Sequence, residues 1–345
     1  MDRPVPDRRM VLAALAGAVA GGLAVPRAVR AAGQADGAFE EVAARAGALD
    51  QLHAMVVVHD GETRFARAFR GPNLERAVNV KSVSKSIVAL LAGVAIDRGF
   101  ISGTDATLGE LIDDLIPADA DPRVKDITVA DLLTMQAGLE RTSGPNYGAW
   151  VGSANWLRFA LTRPFVAEPG EAFQYSTGSY HILGVVLART TERTLLSLAR
   201  EWLGVPLGID LPAWTRDPQG YYLGGNNMAM TPRAMALIGE TVRLGGTFGD
   251  AAVIPPEWIE VSLRPRARSP FSGDEYGYGW FLTELAGERA VYARGYGGQM
   301  IYVLPDAVLT VAITSDPTRP ARTEGHVGDL HRLVAEAVLP AVTAG

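Results

Sequence analysis

The chain contains no cysteine, which excludes disulfides, thiolate metal sites, a thiol nucleophile and a lipid-modified cysteine. Lysine is almost absent as well. Of 32 basic residues only Lys81, Lys85 and Lys125 are lysine, so arginine is the default cation. A lysine kept among arginines can mark a need for a cation able to lose its proton, which arginine does not do. Lys125 is read as ordinary usage. No run of one charge sign occurs, and a net charge of −6 with a pI near 5.5 leaves no basic footprint for nucleic acid. Several motifs are missing too. There is no Gly-x-Ser-x-Gly elbow; the nearest segment, Gln174-Tyr175-Ser176-Thr177-Gly178, lacks the first glycine. There is no His-Glu-x-x-His, and the histidines at 53, 59, 181, 326 and 331 have no metal-ligand spacing. The glycine pairs near 225, 245 and 297 lack the Gly-Lys-Ser/Thr ending of a phosphate loop. Nothing in the sequence asks for a metal or a cofactor.

What remains is an ordinary globular composition, 48% hydrophobic and 20% charged over 345 residues, with room for a large core. Arg8-Arg9 precede an uncharged run over residues 10–26, and Val29-Arg30-Ala31 suits a signal peptidase. Residues 1–31 therefore read as a twin-arginine export signal, with a periplasmic or secreted product and no stable membrane span after cleavage. The competing reading is an uncleaved anchor, although the run is short and weakly apolar for a membrane helix. Residues 32–345 then form one domain. Its oligomeric state is not legible in the sequence.

Within that domain, residues 54–59 and 63–69 predict two strands around an Asp60-Gly61 turn. Residues 82–98 predict a helix closed by Gly99, apolar nearly all round and so buried. Residues 105–245 read as a mostly helical lobe. Thr107…Glu110 and Thr128…Asp131 are capping-box signals, the second helix running to Gly138, and Thr231-Pro232 starts a helix ending at Gly245-Gly246. Residues 276–283, 291–294, 300–304 and 309–314 predict strands, and residues 324–338 a closing helix. The fold class expected is α/β of the α+β type. An antiparallel sheet of five or more strands is flanked by helices, with the helical lobe inserted and a cleft between them.

Chemistry concentrates at Ser82-Val83-Ser84-Lys85. At a helix N-terminus, residues three apart share a face, and the free N–H groups and dipole favour negative charge on an alkoxide or oxyanion. Lys85, expected to be half-buried in that positive field, should have a lowered pKa and suit a base. No chemical role is expected for Ser84. A Ser-x-x-Lys arises by composition alone about one time in nine, so its place opening a buried helix is what gives it weight. Tyr175, just before another helix, fits packing as well as chemistry. Arg294-Gly295-Tyr296-Gly297-Gly298-Gln299 opens a glycine-rich strand, the pattern either of a close ligand approach or of a bulge.

Taken in order, these segments resemble the β-lactamase-related serine hydrolases: class C β-lactamases, DD-peptidases, Ser-x-x-Lys esterases, and most closely the 6-aminohexanoate-dimer hydrolase branch. The likeness runs from about residue 50 to 340. It includes the segments 79–86, 128–139, 169–179 and 224–228, Thr231-Pro232-Arg233, and 295–299. It implies a penicillin-recognising fold and an acyl-enzyme on Ser82, with Lys85 and Tyr175 sharing proton transfer. The oxyanion hole would use the N–H of Ser82 and one from Gly295 or Tyr296. Asn226 or Asn227 would supply a polar substrate contact. The substrate implied is a small amide, ester or peptide-like molecule. Two departures stand against β-lactams: Thr177 replaces the asparagine of the Tyr-x-Asn motif, and Ala293-Arg294 precede Gly295 where Lys- or His-Thr-Gly is usual. The other readings are a catalytically silent domain that binds or senses peptidoglycan or β-lactams, and a class C-like β-lactamase or DD-peptidase proper.

Overall fold

The computed structural model describes residues 37–343; the export signal read at residues 1–31 lies outside them. Chain order opens with α1 (Ala38–Ala48), β1 (Leu52–His59), β2 (Glu62–Ala68), β3 (Val78–Lys81) and α2 (Val83–Asp97). The lobe follows, with α3 (Leu108–Ile112), α4 (Val129–Leu133), α5 (Tyr147–Val151), α6 (Trp156–Leu161), α7 (Thr177–Thr191), α8 (Leu195–Ala199) and α9 (Val205–Leu207). Then come β4 (Met228–Met230), α10 (Pro232–Arg243), β5 (Thr247–Phe248), β6 (Ala251–Ala252) and α11 (Pro256–Ser262). The chain ends with β7 (Ala267–Arg268), β8 (Glu275–Tyr276), β9 (Phe281–Leu285), β10 (Glu288–Gly295), β11 (Gln299–Leu304), β12 (Leu309–Ser315), α12 (His326–Leu333) and α13 (Leu339–Thr343).

Eight strands form one antiparallel sheet in the order β2-β1-β12-β11-β10-β9-β8-β7. Asp60 and Gly61 both have positive φ, the backbone of a primed turn whose twist matches the β1–β2 hairpin. Pairing of β1 with β12 joins the two ends of the chain across the inserted lobe. Side-chain alternation places helices on both faces. A Cβ on Gly239 of α10 would collide with Thr310 of β12 and Ile301 of β11, so α10 lies flush on that face. Tyr302, pointing the other way, meets His331 of α12 edge-to-face.

The structure moves four of the expected boundaries. Residues 276–283 make two strands rather than one, because Gly277 passes too close to the Ser262 carbonyl for a side chain and Gly279 has a φ of 82°. The helix after Thr128 stops at Leu133, not Gly138. Thr134 turns its hydroxyl back to the Ala130 carbonyl, and Met135 adopts a left-handed φ of 63°. Helix α10, inside the stretch read as lobe, packs on the sheet. The closing helix starts at His326 and passes through a wide π turn at Val334–Val338 into α13.

Helix α2 is buried along Val83–Ala95, and α7 along nearly all of Thr177–Leu187. They pack against each other between sheet and lobe, so two helix N-termini open close to one place.

Candidate active site

A cavity of about 690 Å³ lies at these N-termini, lined by Ser82, Tyr175 and Thr177, the end of β10, and lobe residues. Lys81, Arg141 and Arg294 also line it, and none of the lining residues is a carboxylate. In a chain of net charge −6 this makes the cavity locally cationic.

The turn from β3 into α2 presents Ser82. Lys81 takes a left-handed φ of 52°, unfavourable for a side-chain-bearing residue, and two contacts hold it there. Its N–H donates to Asn79 Oδ1 at 2.8 Å, and its carbonyl accepts from Ser84 Oγ at 2.6 Å. Ser84 Oγ in turn accepts the N–H of Met228 on β4 at 3.1 Å. Ser84 is therefore a brace for the turn. Ser82 occupies the N-cap position of α2, but its side chain does not cap the helix, which leaves the hydroxyl for other partners.

Lys85 follows one turn later, only 1% exposed rather than half-buried as a surface helix end would leave it. Its Nζ donates to Ser82 Oγ at 2.9 Å, Thr177 Oγ1 at 3.2 Å and the Gly225 carbonyl at 2.6 Å. All three are neutral oxygens. Burial without a carboxylate partner lowers the Lys85 pKa from 10.5 to about 7. The Tyr175 ring lies 4.9 Å from the ammonium. Burial raises the Tyr175 phenol, while its hydrogen bond with Ser82 and the charge of Arg294 pull it back. The structure thus brings Ser82, Lys85 and Tyr175 together from segments far apart in sequence.

The remaining expected residues also reach the cavity: Gly295, Tyr296, Asn226 and Asn227 all line it. A Cβ on Gly295 would stand 2.3 Å from the Val80 carbonyl, so glycine lets β10 close against β3 beside Ser82. Asn226 donates to the Tyr147 hydroxyl at 3.0 Å. Asn227 accepts from Asn79 Nδ2 at 3.0 Å and holds a φ of 68°, so it braces the same turn as Asn79. Arg294 donates to Thr323 Oγ1 at 3.2 Å and the Ala321 carbonyl at 3.0 Å, which ties its side chain to the following loop.

Sequence reasoning missed the lobe's own contribution. Ser176 does not cap α7 with its side chain. Instead Thr177 N–H donates to Ser143 Oγ at 2.9 Å and Gly178 N–H to Thr142 Oγ1 at 2.8 Å, while Thr142 N–H returns to Ser176 Oγ at 3.1 Å. Two hydroxyl dipeptides, Thr142-Ser143 and Ser176-Thr177, clasp each other. The only sequence trace of this is the pairing of two such dipeptides. Thr177 is not merely a missing amide: its hydroxyl accepts from Lys85 and bonds Ser143. The histidines lie elsewhere, with His181 paired to buried Asp217, His326 to Ser315 and His331 to Tyr302.

Comparison with known proteins gives a consistent placement. The Beta-lactamase family model matches residues 35–336. The 6-aminohexanoate-dimer hydrolase of Paenarthrobacter ureafaciens is 24% identical over 270 residues, which cover 70% of this chain and 67% of that protein. A penicillin-binding protein homologue from Caulobacter crescentus superposes with a TM-score of 0.72 at 18% identity, covering 90% of this chain and 99% of its own. EstCE1, a hydrolase with promiscuous acyltransferase activity, gives a TM-score of 0.69 at 21% identity, covering 88% and 99% of the two chains. With its α/β fold and a family match over most of its length, the chain belongs to the beta-lactamase family, among hydrolases.

Proposed function

We propose that this chain hydrolyses small amides or esters through an acyl-enzyme on Ser82. The observation that carries the reading is the buried Lys85 ammonium group, 2.9 Å from Ser82 Oγ, with its pKa brought to about 7 and only neutral partners. Near neutrality a substantial fraction of Lys85 is an uncharged amine beside the hydroxyl. That amine takes the Ser82 proton as Oγ attacks the substrate carbonyl. The oxyanion of the tetrahedral intermediate sits at the N-terminus of α2. The Ser82 N–H and a backbone N–H at Gly295 or Tyr296 donate to it, an arrangement typically worth about 3 kcal/mol per donor. Tyr175 relays the proton to the leaving group, and water then releases the acyl group by the reverse sequence.

Linear amides and esters fit better than β-lactams. The residue that stands where the family's usual partner for a β-lactam carboxylate would be is Arg294, and its side chain is committed to Ala321 and Thr323. The curated relative is named for hydrolysis of a 6-aminohexanoate dimer, which supports the same choice. Kinetics on nitrocefin beside p-nitrophenyl acetate and butyrate test it: kcat/KM is expected to favour the esters. A nitrocefin value well above them, lost in Arg294→Ala, makes the β-lactamase reading the better one. Loss of all turnover in Ser82→Ala separates an enzyme from a silent binding domain. Export through Arg8-Arg9 belongs to the same reading, and unchanged mature protein outside the membrane from an Arg8→Lys, Arg9→Lys chain removes it.

A further inference from the structure

We propose that Ser143 is a substrate-binding residue whose hydroxyl donates to a second carbonyl oxygen of the substrate, away from the bond that is cut. The site then selects amides and esters of peptide-like, dicarbonyl character over simple alkyl ones. This deepens the serine-hydrolase reading and rests on it.

Hydrogen-bond counting carries the inference. Lys85 can only donate to Thr177 Oγ1, since in its neutral form the lone pair is engaged by Ser82. The Thr177 hydroxyl then has one hydrogen to place. It is 3% exposed, and apart from Lys85 its Oγ1 has one neighbour in range, Ser143 Oγ at 3.0 Å. A buried hydroxyl hydrogen left without an acceptor is unfavourable, so Thr177 donates to Ser143. Ser143 Oγ also accepts the Thr177 backbone N–H at 2.9 Å. Both its lone pairs are now occupied, and its own hydrogen must go elsewhere.

Among the described residues Ser143 Oγ has no further partner, and Ser143 lines the cavity. The chain of donors therefore runs from Lys85 through Thr177 to Ser143 and ends in the space where substrate binds. The opposite polarity, Ser143 donating to Thr177, leaves the Thr177 hydrogen without a protein acceptor at a residue that borders the cavity with only 3% of its surface exposed, and is disfavoured. The clasp between Thr142-Ser143 and Ser176-Thr177 fixes the direction of the hydroxyl before substrate arrives, so little ordering is needed on binding. Thr177 supplies the acceptor for Lys85 and Ser143 the donor for substrate, two tasks divided between two hydroxyls.

Paired esters test this directly. On the acyl side the probes are p-nitrophenyl pentanoate and p-nitrophenyl 4-oxopentanoate. On the alcohol side they are pentyl acetate and 4-oxopentyl acetate, followed by acid release. The wild-type chain is expected to favour the oxo compound of at least one pair by about five- to tenfold in kcat/KM, the size of one neutral hydrogen bond. Ser143→Ala is expected to abolish that preference mainly through KM, and Ser143→Thr to restore it. Because each preference is a ratio within one preparation, a partly unfolded variant does not disturb it. No preference in either wild-type pair, or a preference that survives Ser143→Ala, overturns the proposal. Turnover of all four esters by Ser82→Ala would instead sink the nucleophile reading, whatever the ratios.

Discussion

Lys85 makes its shortest hydrogen bond, 2.6 Å, to the carbonyl oxygen of Gly225, shorter than the 2.9 Å contact with the Ser82 hydroxyl. The amine is thus aimed by the Gly224-Gly225 loop as much as by its own helix. That loop can reach it only because neither residue has a side chain. A Cβ on Gly224 would lie 2.1 Å from the Tyr180 carbonyl, and one on Gly225 would lie 2.9 Å from that of Thr177.

Gly224→Ala is therefore expected to push the loop off α7 and withdraw the Gly225 carbonyl from Lys85. Ester kcat/KM should fall more than 100-fold, with about 2–3 kcal/mol lost from stability. Kinetics and urea unfolding on the same variant check both. A variant of unchanged activity would mean that the loop does not position the amine.

Ser84 was expected to be a bystander, and its contacts give it a structural task. Ser84→Ala removes the donor to Lys81 O and leaves the buried Met228 N–H unpaired. The expected cost is about 2–3 kcal/mol in urea unfolding, with the nucleophile still reactive in the folded fraction. Stability within a few tenths of wild type would show the brace to be dispensable.

Much of this frame is legible in sequence where the signal is local. The Asp60-Gly61 turn, the capping boxes at Thr107 and Thr128, and the shared face of Ser82 and Lys85 all follow from neighbours a few positions apart. The rest depends on contacts that sequence spacing does not encode. A backbone carbonyl such as that of Gly225, 140 positions from Lys85, carries no residue signature. Ser143 could not be singled out because its partner Thr177 was read only as a lost asparagine. The amphipathic pattern of α10 announces a buried face without saying that the sheet, rather than the lobe, covers it. Residues 276–283 alternate like one strand, and only the close pass of Gly277 to Ser262 breaks them.

Lys81 acts through its backbone, and its left-handed φ of 52° makes a sharp comparison possible. Lys81→Gly should be more stable than Lys81→Ala by about 1 kcal/mol, because glycine alone takes that conformation without steric cost. Thermal or urea unfolding of the pair reads this out. The reverse order, normal for an extended segment, would contradict the left-handed turn before Ser82.

Burial of Lys85 also has a stability signature. Its pKa falls from 10.5 unfolded to about 7 folded, so between those values the unfolded chain binds a proton that the folded chain does not. Stability from this group therefore rises with pH across that window, and the full penalty of the buried charge is present below pH 7. Lys85→Met lacks the effect. Its stability relative to wild type should be highest near pH 6 and decline toward pH 10, by about 1.4 kcal/mol per unit of pKa shift at most. A pH-independent difference would show that Lys85 is not perturbed.

The central claim, a neutral Lys85 activating Ser82, is tested most directly by intact-mass labelling with a fluorophosphonate across pH. The account predicts a single adduct, absent in Ser82→Ala. Its labelling rate should rise with pH to a plateau with a midpoint near 7, and both the rate and that midpoint should be lost in Lys85→Arg. Labelling that persists in Ser82→Ala, or a wild-type rate that is flat from pH 5 to 9, would contradict it.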